Sequence, residues 1–116
     1  MRHQIKKKIL KRKRGPRRAL LKSLAYNLIL SEKIKTTESK AKALKPLMEK
    51  LVFLSKKKNL HSRRRLISFL GNKKAAKKLL EQIAPRYEGR VGGYVRIIKL
   101  KERKGDSAKT ALIEFV

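Results

Sequence analysis

Tyr94-Val95-Arg96-Ile97-Ile98-Lys99-Leu100-Lys101 and Lys109-Thr110-Ala111-Leu112-Ile113-Glu114-Phe115-Val116, separated by Lys104-Gly105-Asp106-Ser107, decide what kind of domain this chain forms. Both runs are rich in β-branched residues and alternate in polarity, and the Gly-Asp segment between them is a turn, so together they read as a hairpin. Upstream the texture is helical, with one exception. Lys33-Ile34-Lys35-Thr36-Thr37 is short and partly β-branched and suits a third strand.

Four helices fill the interval before the hairpin. Leu20, Leu21, Leu24, Ala25, Leu28 and Ile29 recur at helical spacing between Arg17 and Leu30, with Arg18 and Lys22 on the opposite face. Thr37 can cap a second helix whose apolar stripe runs through Ala41, Leu44, Leu47, Met48, Leu51, Val52 and Leu54 or Ser55, bent near Pro46. After a polar link, Lys56 to Leu60, a short helix over Ser62–Leu70 should stop at Gly71. Asn72 can cap a fourth through Ala75, Ala76, Leu79, Leu80 and Ile83, stopped by Pro85. The expected fold is α+β, a two-layer domain of about four helices on a small three-stranded mixed sheet, made of the hairpin and one short strand.

That domain covers residues 17–116, and residues 1–16 read as an extended basic arm. The first acid is Glu32; eleven cations precede it, ten of them within the first eighteen residues. They are Arg2, Lys6, Lys7, Lys8, Lys11, Arg12, Lys13, Arg14, Arg17 and Arg18, followed by Lys22. Such a segment repels itself and has too little apolar surface to offset its ordering entropy, so it needs a polyanion to lie against. The whole chain carries 35 Lys+Arg against 8 Asp+Glu, a net charge of +27, of which +17 lies beyond residue 18. The body is therefore cationic too, as expected of a partner that touches much of its surface.

Several function classes fall away. No cysteine is present, so disulfides and thiolate metal sites are out. No run approaches the roughly 20 apolar residues of a membrane span, and the basic start lacks the apolar core of a signal peptide. A mitochondrial transit peptide would be Ser-rich and Arg-dominated, and this start is neither. His3 and His61 have no carboxylate neighbour in sequence, the acids are scattered singly, and no phosphate-binding loop or dinucleotide fingerprint occurs. No catalytic residue, cofactor, metal or small-molecule substrate is expected.

Nucleic-acid contact is expected from three regions. The arm would supply phosphate contacts and counterion release, with a log–log salt slope of about −6 to −7 for roughly eight contacts. Arg63-Arg64-Arg65 point around a helix, so one or two of them should reach RNA while another covers the core with its stem. Pro85 to Arg96 combines three arginines, two tyrosines and three glycines. Arg86, Arg90 and Arg96 suit phosphate, whereas Tyr87 and Tyr94 read as half-buried rings of a tight connection.

Taken together, these blocks resemble the bacterial-type large-subunit ribosomal protein seventeen family over nearly the whole chain. The likeness is carried by Met1-Arg2-His3 with the arm, Arg18-Ala19-Leu20-Leu21, and Ile34-Lys35-Thr36-Thr37 with Lys40-Ala41-Lys42 and Glu49. It continues through Pro85-Arg86-Tyr87, Arg90-Val91-Gly92-Gly93-Tyr94, Arg96-Ile97-Ile98-Lys99, Gly105-Asp106-Ser107-Ala108 and Ala111-Leu112-Ile113-Glu114. Two positions depart from the family pattern. Arg17 stands where a histidine is common, and Ala84 where a glycine is usual.

The resemblance implies a structural, non-enzymatic constituent of the large ribosomal subunit that binds and stabilises large-subunit rRNA near the nascent-chain tunnel exit. It implies RNA contacts at Arg2, His3, the arm cations, Arg18, Lys35, Thr36, Thr37, Lys40, Arg86, Arg90 and Gly92-Gly93-Tyr94. The implied partners are rRNA and neighbouring large-subunit proteins, with no membrane and no obligate homo-oligomer, in the cytoplasm or an organelle. An architectural DNA-binding protein is the alternative that shares the charge, although no recognition helix or spare dimerising stripe is evident. A lipid-binding protein would want Trp or Phe on the first helix.

Overall fold

Helix α1 spans Arg14–Ser31 in a computed structural model that describes residues 14–116. It begins three residues before the expected start, because Gly15-Pro16 falls within its first turn, where the missing proline N–H costs nothing. The expected extended path of residues 1–13 lies outside the described residues. Glu32 turns the chain in a left-handed conformation (φ 66°) and delivers strand β1, Lys33–Thr37.

Helix α2, Glu38–Ser55, is capped by Thr37, whose hydroxyl oxygen accepts from the Lys40 N–H. Pro46 stays inside this single helix. The carbonyl it leaves unpartnered is that of exposed Lys42, on the solvent side where water can serve it. Helix α3, Leu60–Leu70, starts two residues before the expected Ser62, because Asn59 is the cap and its Oδ1 accepts the Ser62 N–H at 2.7 Å. Gly71 ends it in the left-handed conformation, as its position suggests.

Helix α4, Lys73–Lys78, carries the expected Asn72 cap. It continues as π-helix over Leu79–Ile83 and as 3-10 helix over Ala84–Tyr87. Pro85 explains the change of winding. It cannot donate to the Glu81 carbonyl and its ring crowds that group, so the coil widens before the proline and tightens after it. The Ala84 N–H accordingly bonds back five residues to Leu79.

Strands β2, Val95–Lys99, and β3, Thr110–Phe115, form the expected hairpin, with a longer connection than the turn alone. The ladder persists past β2 through Leu100 N–H to the Thr110 carbonyl, and Arg103 and Asp106 close the tip. The sheet order is β1-β3-β2 and both pairings are antiparallel. The expectation of a mixed sheet is thereby corrected. β3 carries the most apolar strand face, with Ala111, Ile113 and Phe115 buried, so it takes the centre and runs against both neighbours. β1 and β2 become lysine-bearing edges that never touch, as suits exposed edges.

The helices cover one face. Ile34, Ile113 and Ile97 align across the three strands toward the core, which holds Leu28, Ile29, Leu44, Met48, Leu66 and Leu79 fully buried. The other face carries the rows Lys33–Glu114–Arg96 and Lys35–Leu112–Ile98. Ala84 is 1% exposed, so its methyl group is buried.

Candidate nucleic-acid interface

Two long stretches lack acids altogether, residues 1–31 and 50–80. The fold packs their described parts together, since α1 lies against both α3 and α4. Arg18 and Lys22 of α1, Arg63, Arg64 and Arg65 of α3, and Lys73, Lys74 and Lys77 of α4 are all exposed. None of these eight has an acidic partner among the described residues. The three arginines splay as their positions on a helix require. Arg64 and Arg65 line a groove shared with α1, and Arg63 faces Lys58 and Leu80 on the other side. Charge this concentrated and uncompensated favours a polyanion.

The sheet end of the molecule is built differently. Its acids sit next to its cations. Arg86 bonds the Glu32 carboxylate, which Lys78 also approaches at 3.5 Å. The Arg86 guanidinium holds the Glu32 carboxyl below its ordinary value, against the opposing effect of burial. Arg96 pairs with Glu114 at 3.0 Å, and Lys99 and Lys42 share Glu38. Arg86 and Arg96 are thus already neutralised inside the chain, and both keep partial exposure. Arg90 has no acidic partner among the described residues and is exposed.

Tyr94 requires a correction. Its ring is 1% exposed and packs against Tyr87 at 5.4 Å between centroids. Its hydroxyl donates to the Arg90 carbonyl and accepts from the Lys56 ammonium, each at 3.0 Å. A ring this buried has no face to offer a base, so the contact expected there is not one its side chain can make. Tyr87 is equally a core residue, its hydroxyl donating to the Val116 carbonyl. The turn before Tyr94 is exposed, and Gly93 supplies the positive φ of 68° that it needs.

The first strand's candidates divide in the same way. Thr37 is engaged as the α2 cap, and Thr36 is half-buried opposite Ala111. Lys35 is exposed on the open sheet face, and Lys40 is half-buried in the first turn of α2. Arg17 is half-buried on α1, and Arg14 enters only as the first residue of that helix. The expected contacts at Arg2, His3, Lys6, Lys7, Lys8, Lys11, Arg12 and Lys13 lie outside the described residues.

Sequence reasoning missed two things here. His61 and Arg65 share the α1–α3 groove with Arg64, which only the packing of α1 reveals. Glu49, noted as part of a motif, turns out to anchor β2: its two carboxylate oxygens accept the Tyr94 and Val95 N–H groups, each at 3.1 Å. No group of acids and histidines among the described residues could hold a metal, and no helix among them is long and apolar enough to cross a membrane.

Known proteins resemble this chain along most of its length. Residues 20–116 match the family described as Ribosomal protein L17. A Large ribosomal subunit protein bL17 from Hydrogenobaculum sp. is 55% identical, covering 100% of this chain and 99% of its own. Proteins of the same name from Sulfurihydrogenibium sp. and Exiguobacterium sp. are 50% and 49% identical, over 100% and 92% of this chain and 97% and 96% of theirs.

Proposed function

Because the chain belongs to the ribosomal protein L17 family, structural proteins of the large ribosomal subunit rather than enzymes, we propose that it binds and stabilises large-subunit rRNA as an assembly scaffold. One observation carries this reading. The fold brings Arg18 and Lys22 of α1 beside Arg64 and Arg65 of α3 around a groove with no acid in its lining, while Glu32, Glu38 and Glu114 pair with cations at the sheet end. The body docks by that face, and the arm orders as it neutralises phosphates between RNA helices. Arg90 and the Gly92-Gly93 turn form a second, smaller contact beyond the sheet. On the resemblance in its sequence, its position would be the solvent side of the subunit, near the nascent-chain exit, beside other large-subunit proteins.

The test is retention on the large subunit through a salt gradient. The unaltered chain should co-sediment at high salt, and Arg18→Gln with Arg64→Gln should release it earlier. Each lost phosphate contact should lower the salt slope by about one. Equal retention of the double variant would remove the α1–α3 face from the contact.

A further inference from the structure

We infer that the groove between α1 and α3 is a seat for an unpaired RNA nucleotide, holding its base as well as its phosphate. The inference rests on the RNA-binding reading above and adds a site to it. The groove is about 700 Å³, with Arg18 and Lys22 on its α1 side and His61, Arg64, Arg65 and Phe69 on its α3 side. His61, Arg65 and Phe69 are four residues apart in turn, so they form one stripe along α3. Arg65 therefore lies between two aromatic residues along that stripe, and Arg18 and Lys22, one turn apart on α1, line the groove opposite.

That combination is more than a phosphate clamp needs. Phosphates alone are served by exposed cations on any face, such as the lysines of α4. A planar ring beside an arginine is the chemistry that stacks bases, and bases are open to stacking only where RNA is unpaired. Phe69 is half-buried, so one side of its ring packs on the core while its remainder borders the groove. The ring is thereby held in place before any base arrives, which lowers the ordering cost of binding. Acids, which would repel a phosphate, are absent from the lining.

The experiment measures full-chain binding, by fluorescence anisotropy across a salt series, to a perfect RNA duplex and to the same duplex with a bulge of unpaired adenosines. The unaltered chain should prefer the bulged RNA. Phe69→Leu keeps an apolar side chain on the core and should lose about five-fold or more of that preference, with its salt slope unchanged. Arg65→Gln should lower the salt slope by about one on both RNAs. Thermal melting confirms that each variant is folded. A Phe69→Leu chain that keeps the full bulge preference overturns the base seat and leaves RNA binding standing. A chain that binds neither RNA at moderate salt overturns the RNA-binding reading itself, and the seat with it.

Discussion

Replacing Glu49 by alanine should cost about 3 kcal/mol of folding stability, although no contact with RNA is involved. The carboxylate bridges α2 to the first residues of β2 by accepting the Tyr94 and Val95 N–H groups at 3.1 Å. Those two residues are 1% and 2% exposed, so water cannot readily take over as acceptor. A hydrogen bond to a charged group is worth about 1.5–3 kcal/mol net, and 3.1 Å is long for the charge-assisted kind. Taking the lower figure for each bond gives the estimate. Glu49→Gln separates this account from simple loss of packing. Its amide offers one acceptor oxygen and turns an NH2 toward the second donor, so the cost should be roughly half, about 1.5–2 kcal/mol. Urea denaturation followed by circular dichroism measures both variants, and hydrogen exchange should show Tyr94 and Val95 losing protection. An alanine variant within about 0.5 kcal/mol of the parent, the usual range for surface changes, would refute the anchoring role.

Two further outcomes follow from the geometry. Gly71→Ala should cost about 1–2 kcal/mol, because φ is 65° there; the added methyl would also displace the flexible tip of Lys22, 2.6 Å away. Gly71→Asn should be milder, and equal melting temperatures for the parent and the alanine variant would contradict this. Glu32 and Glu38 both have carboxyls held below the ordinary 4.5, through hydrogen bonds with Arg86 and Lys42 respectively. Their contribution to stability is therefore present above pH 4.5 and lost as pH falls through the lowered folded-state values. A urea series against pH should show that decline, and Glu32→Gln should flatten part of it by removing the charge Arg86 holds; an unchanged acid limb would exclude this pair as a cause.

Much of this protein was legible in its residues. The periodicity of α1, the Thr37 and Asn72 caps, the Gly71 terminus and the hairpin all depend on neighbours a few positions away, which a sequence displays directly. The charge imbalance and the missing cysteines narrow function for the same reason, since composition needs no fold. Asn59 is the exception among local signals. It lay inside a lysine-rich stretch that read as a link, and so α3 began earlier than expected.

What tertiary structure decided depends on residues far apart in the chain. Whether an arginine is free or spent turns on which acid the fold brings to it: Arg86 meets Glu32 across 54 positions, and Arg64 meets none among the described residues. Tyr94 looked able to face either way until the core claimed its ring, through Tyr87 and the Lys56 ammonium. Strand direction was misjudged for a related reason. The residues suggested a mixed sheet, but the fold lays β1 antiparallel to β3, as the hairpin does β2, with the most apolar strand in the centre. The two acid-free stretches were each visible in the sequence; that they form one face follows only from α1 lying on α3 and α4, because burying the apolar stripes of those helices against each other leaves their cations side by side in water.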